Sequence, residues 1–241
     1  MESLPLIRRA YYGYLSRMYE LTHTLSRRTF LGFRLSTLAR WLPIVALLVG
    51  LARDWPVALL AALLALIAWI NYSLWRAKRD NYNRFVPLPA ALMSADNLEP
   101  LAPNTKVPVL ATGLFSVSGR SAWLLLSPAH YWRVPLGEHV IMAEETPGKY
   151  LYQFFGAASL QDVRAGLLLF GRRPVEALAV SFLAQWGPEY TRFGQVYETG
   201  HNDDLPPPKR VIVYLTIGDA DTRRAVWHTI VSEARRARVG A

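Results

Sequence analysis

Residues 41–75 read WLPIVALLVGLA (41–52), RD (53–54) and WPVALLAALLALIAWINYSLW (55–75). The first run is apolar for twelve residues and the second for twenty-one, interrupted only by Asn71 and Ser73 near its end. A helix needs roughly 20 mostly apolar residues to cross a bilayer, so the second run suffices alone. The first reaches that length by recruiting Leu35 to Arg40, with the Arg40 side chain extending toward the headgroups. Trp41, Trp55, Trp69, Tyr72 and Trp75 fall near the ends of the proposed spans, where aromatic rings favour the interface. The Arg53-Asp54 link is too short to cross anything. It leaves an antiparallel helical pair, in which Ala46 and Gly50 can approach a ridge of Ala58, Ala61, Ala62 and Ala65. A helical hairpin in a soluble core is the alternative, but soluble cores seldom bury so long an uninterrupted apolar run.

Charge is distributed around this hairpin. Seven Arg against Glu2 and Glu20 leave residues 1–40 at +5, residues 41–75 are neutral, and residues 76–86 carry +3. Residues 87–241 hold fifteen basic against fourteen acidic side chains, a net +1 in a chain of +9. The basicity flanks the spans and does not form the footprint of a nucleic-acid-binding domain. Lys and Arg crowd both outer flanks and nearly avoid the link. The expectation is therefore a multi-pass protein of the cell inner (plasma) membrane with both termini cytoplasmic. Ser26-Arg27-Arg28-Thr29-Phe30-Leu31 points the other way, since it resembles a twin-arginine export motif followed by an apolar stretch. Arg34 and Arg40 interrupt that approach, and no small-residue cleavage site precedes the second span.

Upstream, Ile7, Tyr11, Tyr14, Met18, Leu21 and Leu25 recur at steps of three and four, with Arg8, Arg9, Arg17, Arg27 and Arg28 mostly elsewhere on the wheel. This predicts an amphipathic helix within 1–34, with Ser3 as a cap and Pro5 in its first turn. Arg and Tyr suit the headgroup layer, and packing on a partner protein is the competing use of such a face. The helical hairpin is assigned to 35–77. Residues 78–105, with Pro87, Pro89, Pro100 and Pro103, are expected to be a linker.

From residue 106 the pattern changes to short apolar or alternating runs between turns: 107–117, 122–126, 139–143, 150–155, 167–170, 175–182, 193–197 and 211–217. This spacing predicts antiparallel β-structure over 106–241, with a tight reversal at Gly171-Arg172-Arg173-Pro174. One closing helix is expected over 221–238, capped by Asp219 or Asp221, with Val226, Ile230, Ala234 and Ala237 as its inward stripe. The expected fold class is an α+β membrane protein: an amphipathic helix, a two-helix transmembrane hairpin, and an antiparallel β-barrel or sandwich capped by a C-terminal helix.

Many strands followed by a single helix that carries Trp227, in Arg224-Ala225-Val226-Trp227-His228, resemble the pleckstrin-homology-like (PH-like) domain, which bacteria often attach to paired membrane helices. The resemblance covers 106–241 and implies that Trp227 is the structural cap of the barrel. The chain departs from the family in two respects. It lacks the short Tyr-and-Arg signature of the bacterial members, and only Arg120 stands near the first strand turn, where eukaryotic members cluster basic residues. Phosphoinositide binding is accordingly not implied.

No catalytic, cofactor or metal constellation emerges from the sequence. His23, His130, His139, His201 and His228 have no partner at ligand spacing, and His201 with Asp203 and Asp204 precedes Pro206-Pro207-Pro208 in what reads as a turn-rich loop. Glu144-Glu145 alternate across a strand and do not pair for acid-base chemistry. Gly113 to Gly119 lacks the Lys and the following helix of a phosphate loop. Ser116, Ser118 and Ser121 lack a nucleophile elbow. With no Cys, disulfides, thiolate-held clusters and Cys-ligated zinc are excluded. Arg8, Arg9, Arg27, Arg28, Arg172 and Arg173 are the candidates for lipid-headgroup contact. The function expected is a non-enzymatic membrane-anchored adaptor or scaffold. Its partners would be membrane lipids and either a membrane protein or a second copy, with no cofactor and no nucleic acid. The alternatives are an accessory subunit of a larger membrane complex and a membrane-bound enzyme.

Overall fold

The computed structural model describes residues 5–89, 99–117, 120–135, 138–184 and 209–239. It divides into two compact units, one of 1–86 with 168–175, the other of 87–167 with 176–241.

The first unit is helical. Helix α1 (Leu6–Arg27) starts after Pro5, whose carbonyl accepts the Arg9 N–H at 3.0 Å. The expected cap, Ser3, lies outside the described residues. A two-residue hairpin follows, β1 (Thr29–Phe30) with β2 (Phe33–Arg34), turned through Leu31 and Gly32 at φ of 49° and 81°. Helices α2 (Leu35–Ala52) and α3 (Val57–Arg79) come next, joined by a turn in which Asp54 also takes a positive φ of 48°. Pro43 lies inside α2. Gly50 allows the pair to close, because a β-carbon there would come within 2.8 Å of the Trp55 ring and 3.0 Å of Leu60. The close approach is thus made with Trp55 and Leu60.

The face that α1 buries is Leu15, Ser16, Met18, Tyr19 and Thr22. It overlaps the expected stripe at Met18, while Ile7, Tyr11, Tyr14 and Leu21 stay exposed. Both stripes obey helical spacing, and tertiary partners choose between them. Tyr19, fully buried, donates its hydroxyl to Asp80 Oδ2 at 2.6 Å, Ser16 Oγ donates to the Gly171 carbonyl at 2.9 Å, and His23 meets Tyr82 and Phe170 edge-on. Trp69 Nε1 donates to Tyr14 Oη at 2.8 Å. The expected linker is also more structured than its prolines suggest, since β3 (Arg84–Pro87) lies within it.

Among its described residues the second unit is a large antiparallel sheet with one α-helix and a single 3-10 turn, Ala157–Ser159. Its strands are β4 (Lys106–Val117), β5 (Arg120–Val134), β6 (Glu138–Thr146), β7 (Lys149–Gly156), β8 (Leu160–Leu169), β9 (Val175–Ala184) and β10 (Lys209–Thr216), adjacent in the order β8-β9-β10-β4-β5-β6-β7. The strand expected over 193–197 lies outside the described residues. Alternation drives the assembly: β7 turns Leu151, Gln153 and Phe155 inward and leaves Tyr152 and Phe154 half-buried. β8 begins seven residues before its apolar run, in the mixed segment Leu160–Gly166, where Leu160 is buried in the core and Val163 and Ala165 pack against it.

Strand β4 has three partners. Leu110 to Thr112 pair with β10, Ser116 pairs with Tyr152 of β7, and β5 runs along the opposite edge. The passage from β10 to β7 occurs at Gly113, where the β4–β5 register slips and φ is 151°. A β-carbon at Gly113 would lie 3.1 Å from the Ile212 carbonyl oxygen and 3.3 Å from Val213, so glycine is required by conformation and space together. Opposite it, Leu126 adopts φ 46° and donates its N–H to the buried Thr112 hydroxyl at 2.9 Å. Gln153 Nε2 donates to the Leu114 carbonyl at 2.6 Å on the β7 side of the bend.

Helix α4 (Ala220–Val239) closes the unit. Asp219 is the residue that caps it, accepting the Thr222 N–H at 2.6 Å, and hydrogen bonding from the Thr222 side chain first and this N–H second holds its carboxyl below the usual aspartate range. Val226, Ile230 and Ala234 are buried in the core with Phe115, Tyr131, Phe155 and Phe182, each such large side chain contributing about 1.5–3 kcal/mol. Trp227 is packed against this core and only partly buried. The side chain of Ala237 lies outside the described residues.

Candidate functional site

Two constellations of side chains stand out, one in each unit.

In the β-unit, a polar cluster is enclosed between strands and helix. Tyr131 and Arg133 alternate onto one face of β5, and Arg133 pairs across the ladder with His139 of β6. From α4, Glu233 enters the same face one turn beyond Ile230. Tyr131 Oη lies 2.8 Å from His139 Nδ1, His139 Nε2 lies 3.0 Å from Glu233 Oε2, and Arg133 closes an ion pair with Glu233. The His139–Glu233 approach is too bent to be a hydrogen bond, so the carboxylate answers chiefly to Arg133. His139 is also stacked between Tyr131 and Phe155, whose ring stacks in turn on Phe182.

The electrostatics follow from burial. Desolvation, reinforced by the Arg133 charge, lowers the His139 imidazole to about 4, so it is neutral near pH 7. Desolvation, with the Glu233 charge second, pushes the Tyr131 phenol well above its usual range. With His139 and Tyr131 at 1% and 0% exposure, the cluster fastens α4 to β5 and β6, and Arg133 is its half-buried member.

In the helical unit, the notable feature is an outward surface of arginine and large apolar side chains. All six expected headgroup arginines lie in this unit and are exposed. Arg8, Arg9 and Arg27 are on α1, Arg28 is its C-cap, and Arg172 and Arg173 follow Gly171, whose carbonyl is held by Ser16. Segment 168–175 thus joins arginines from two distant stretches of sequence in one unit. Tyr19 anchors the interior behind them, its phenol pushed up to about 12 by burial and then by Asp80. His23, half-buried beside Arg27, is held below the ordinary histidine range, with desolvation the larger cause.

The other sequence candidates are scattered. His130 is exposed on β5, and His228 is half-buried on α4 with its Nδ1 unpartnered. His201, Ser118 and Gly119 lie outside the described residues. Glu144 accepts the Gly148 N–H at 3.1 Å and serves the β6–β7 turn. Ser116 and Ser121 are cross-strand partners. Among the described residues no group of three His, Asp or Glu could hold a metal ion. Sequence reasoning missed Tyr131, Arg133 and Glu233. The signal available was a charged residue at an inward position: Glu233 lies seven residues from Val226 and three from Ile230, on the apolar stripe.

Comparison with protein-family models, curated proteins and solved structures gives no match for this chain.

Proposed function

We propose that this protein is a non-enzymatic membrane-anchored adaptor. In this reading α2 and α3 cross the cell inner membrane as a hairpin with both termini cytoplasmic, and the β-unit is a PH-like domain offering a binding surface to a membrane protein or to lipid. The observation that carries the reading is the state of the two helices. Each is long and apolar enough to span a bilayer, yet only 6% of the α2 window and 11% of the α3 window is buried. Helices of a soluble core bury such surface, and each Leu or Val left in water forgoes about 1.5–3 kcal/mol. A bilayer supplies the missing environment.

Support for the PH-like reading is the arrangement of a four-strand run, a three-strand run and one C-terminal helix packed on the core. The nearly balanced charge of 87–241, a net +1, favours a protein or lipid partner over nucleic acid. The enclosure of the His139 cluster favours binding over turnover.

The chain has no Cys, so single cysteines report topology cleanly. Asp54→Cys and Lys149→Cys should react with a membrane-impermeant maleimide from opposite faces of intact membranes. Labelling of both from one face, or release of the protein from membranes by alkaline carbonate, would overturn the anchored topology. Full-length protein in mild detergent should then retain specific membrane partners when His130, His139 or His228 is replaced by Ala. Loss of function on one of these changes, with stability and insertion intact, would replace the adaptor with a catalytic site at that residue.

A further inference from the structure

The segment Ser26 to Arg34 contains the Ser26-Arg27-Arg28-Thr29-Phe30-Leu31 motif, and the structure folds it in an unexpected way. Arg27 ends α1, the Arg28 N–H is held by the Thr24 carbonyl, and residues 29–34 form the small hairpin closed at its base by Leu35 N–H donating to the Arg28 carbonyl at 2.9 Å. At its tip Phe30, Leu31 and Phe33 are 59%, 82% and 60% exposed. Every residue from Arg27 to Arg34 is exposed.

Two features show that this is not ordinary turn chemistry. Both central residues, Leu31 and Gly32, have positive φ, as in a type I′ turn, whose first position favours Asn, Asp or Gly. Leucine is disfavoured in the left-handed region, so its presence there serves something other than the turn. An isolated two-stranded hairpin is also marginal in water, and this one turns its apolar side chains outward. The next residue, Leu35, is the first of α2, so the hairpin is covalently fixed at the mouth of the apolar helix.

We propose that the β1–β2 hairpin is a lipid-inserted wedge. Phe30, Leu31 and Phe33 enter the acyl boundary of the bilayer beside α2, and Arg27, Arg28 and Arg34 engage anionic lipid headgroups around it. The inference rests on the reading that α2 spans the membrane. The occupant is lipid because the patch is continuous with that helix and because three exposed arginines stand at the base of an apolar tip, complementary to an anionic headgroup layer over hydrocarbon. The wedge fixes the depth of α2 and makes the docked state sensitive to anionic lipid. It also gives the twin-arginine motif a role in the folded protein.

The test uses full-length protein in nanodiscs of phosphatidylcholine, with and without phosphatidylglycerol. An environment-sensitive fluorophore is placed by Leu31→Cys, with Ala62→Cys in α3 and Lys149→Cys in the β-unit as references. The Leu31 probe should be quenched by lipids spin-labelled at a shallow acyl position and be at least about threefold less accessible to iodide than the Lys149 probe. Its emission should shift further to the blue with phosphatidylglycerol, and Arg27→Gln/Arg28→Gln/Arg34→Gln should abolish that dependence. A Leu31 probe open to iodide while the Ala62 probe is quenched by lipid would overturn the wedge and leave the spanning helices standing. Both probes open to iodide would overturn the spanning reading and the wedge with it. A Leu31 probe shielded from iodide and lipid quencher alike would mean that a protein surface covers the hairpin, which also overturns the proposal. A lipid-quenched probe indifferent to phosphatidylglycerol would overturn the role given to the arginines.

Discussion

His139 Nε2 lies 3.0 Å from Glu233 Oε2, yet the imidazole is neutral, because burial penalises its charge and Arg133 already occupies the carboxylate. The contact joins β6 to α4 by neighbourhood more than by charge. Its consequence is a pH dependence of definite sign. Above pH 6.5 the imidazole is neutral folded and unfolded and contributes nothing to linkage. Between 6.5 and about 4 the unfolded side chain takes up a proton that the folded one refuses, so stability falls as pH falls through that window. The loss should be about 1–3 kcal/mol. His139→Gln, which keeps a donor and an acceptor, should flatten this part of the profile of melting temperature against pH in full-length protein in detergent. An unchanged profile would remove His139 from the account.

Arg133 and Glu233 should behave as a unit. Arg133→Met strands a buried carboxylate and should cost about 3–5 kcal/mol, whereas Arg133→Met with Glu233→Leu replaces the pair by apolar groups and should recover most of it. A double-mutant cycle by chemical denaturation measures this. Additive losses would show that the pair is not coupled.

Ile230 and Trp227 separate the core position on α4 from its partly buried neighbour. Ile230→Ala should destabilise by about 2–5 kcal/mol, in the range of fully buried aliphatic truncations. Trp227→Ala should lose less than the roughly 3–5 kcal/mol typical of a fully buried Trp, because the side chain is only partly buried against the core. The reverse order of melting temperatures would make Trp227 the principal cap after all.

Gly113→Ala should cost about 1–3 kcal/mol, since φ of 151° lies outside the range of L-residues and the new methyl meets the Ile212 carbonyl. The loss should appear in the β-unit, as lower protection of amide hydrogens in β4 and β10 under exchange. Protection equal to that of the original protein would show that β4 can bend without glycine.

Tyr19→Phe removes one hydroxyl from the interior of the helical unit. Since that hydroxyl donates to the Asp80 carboxylate, the change should cost about 1–3 kcal/mol, and trypsin should cut α1 at Arg17 faster. Cleavage at the original rate would mean that packing of Leu15 and Met18 alone holds the helix.

Much of the architecture was legible in the chain because it rests on local periodicity. The run 55–75 could only be a long apolar helix, the alternation in 150–155 could only be a strand, and Asp219 before the 226, 230, 234 stripe set the last helix within a residue or two. Three things needed the tertiary structure. Which stripe of α1 is buried depends on a distant partner, Asp80, and on the segment around Gly171, because Tyr19 and Tyr14 satisfy helical spacing equally. The cluster of Tyr131, Arg133, His139 and Glu233 joins residues from β5 and β6 to one near the end of α4, and a charge on an apolar stripe acquires meaning only when its partner is beside it. The Arg27–Arg34 motif had a local pattern fitting an export signal, and only the backbone, with Leu31 at positive φ and its side chain turned outward, made it a hairpin. Periodicity records which side of an element is apolar, whereas the identity of the neighbour that covers that side is a property of the folded chain.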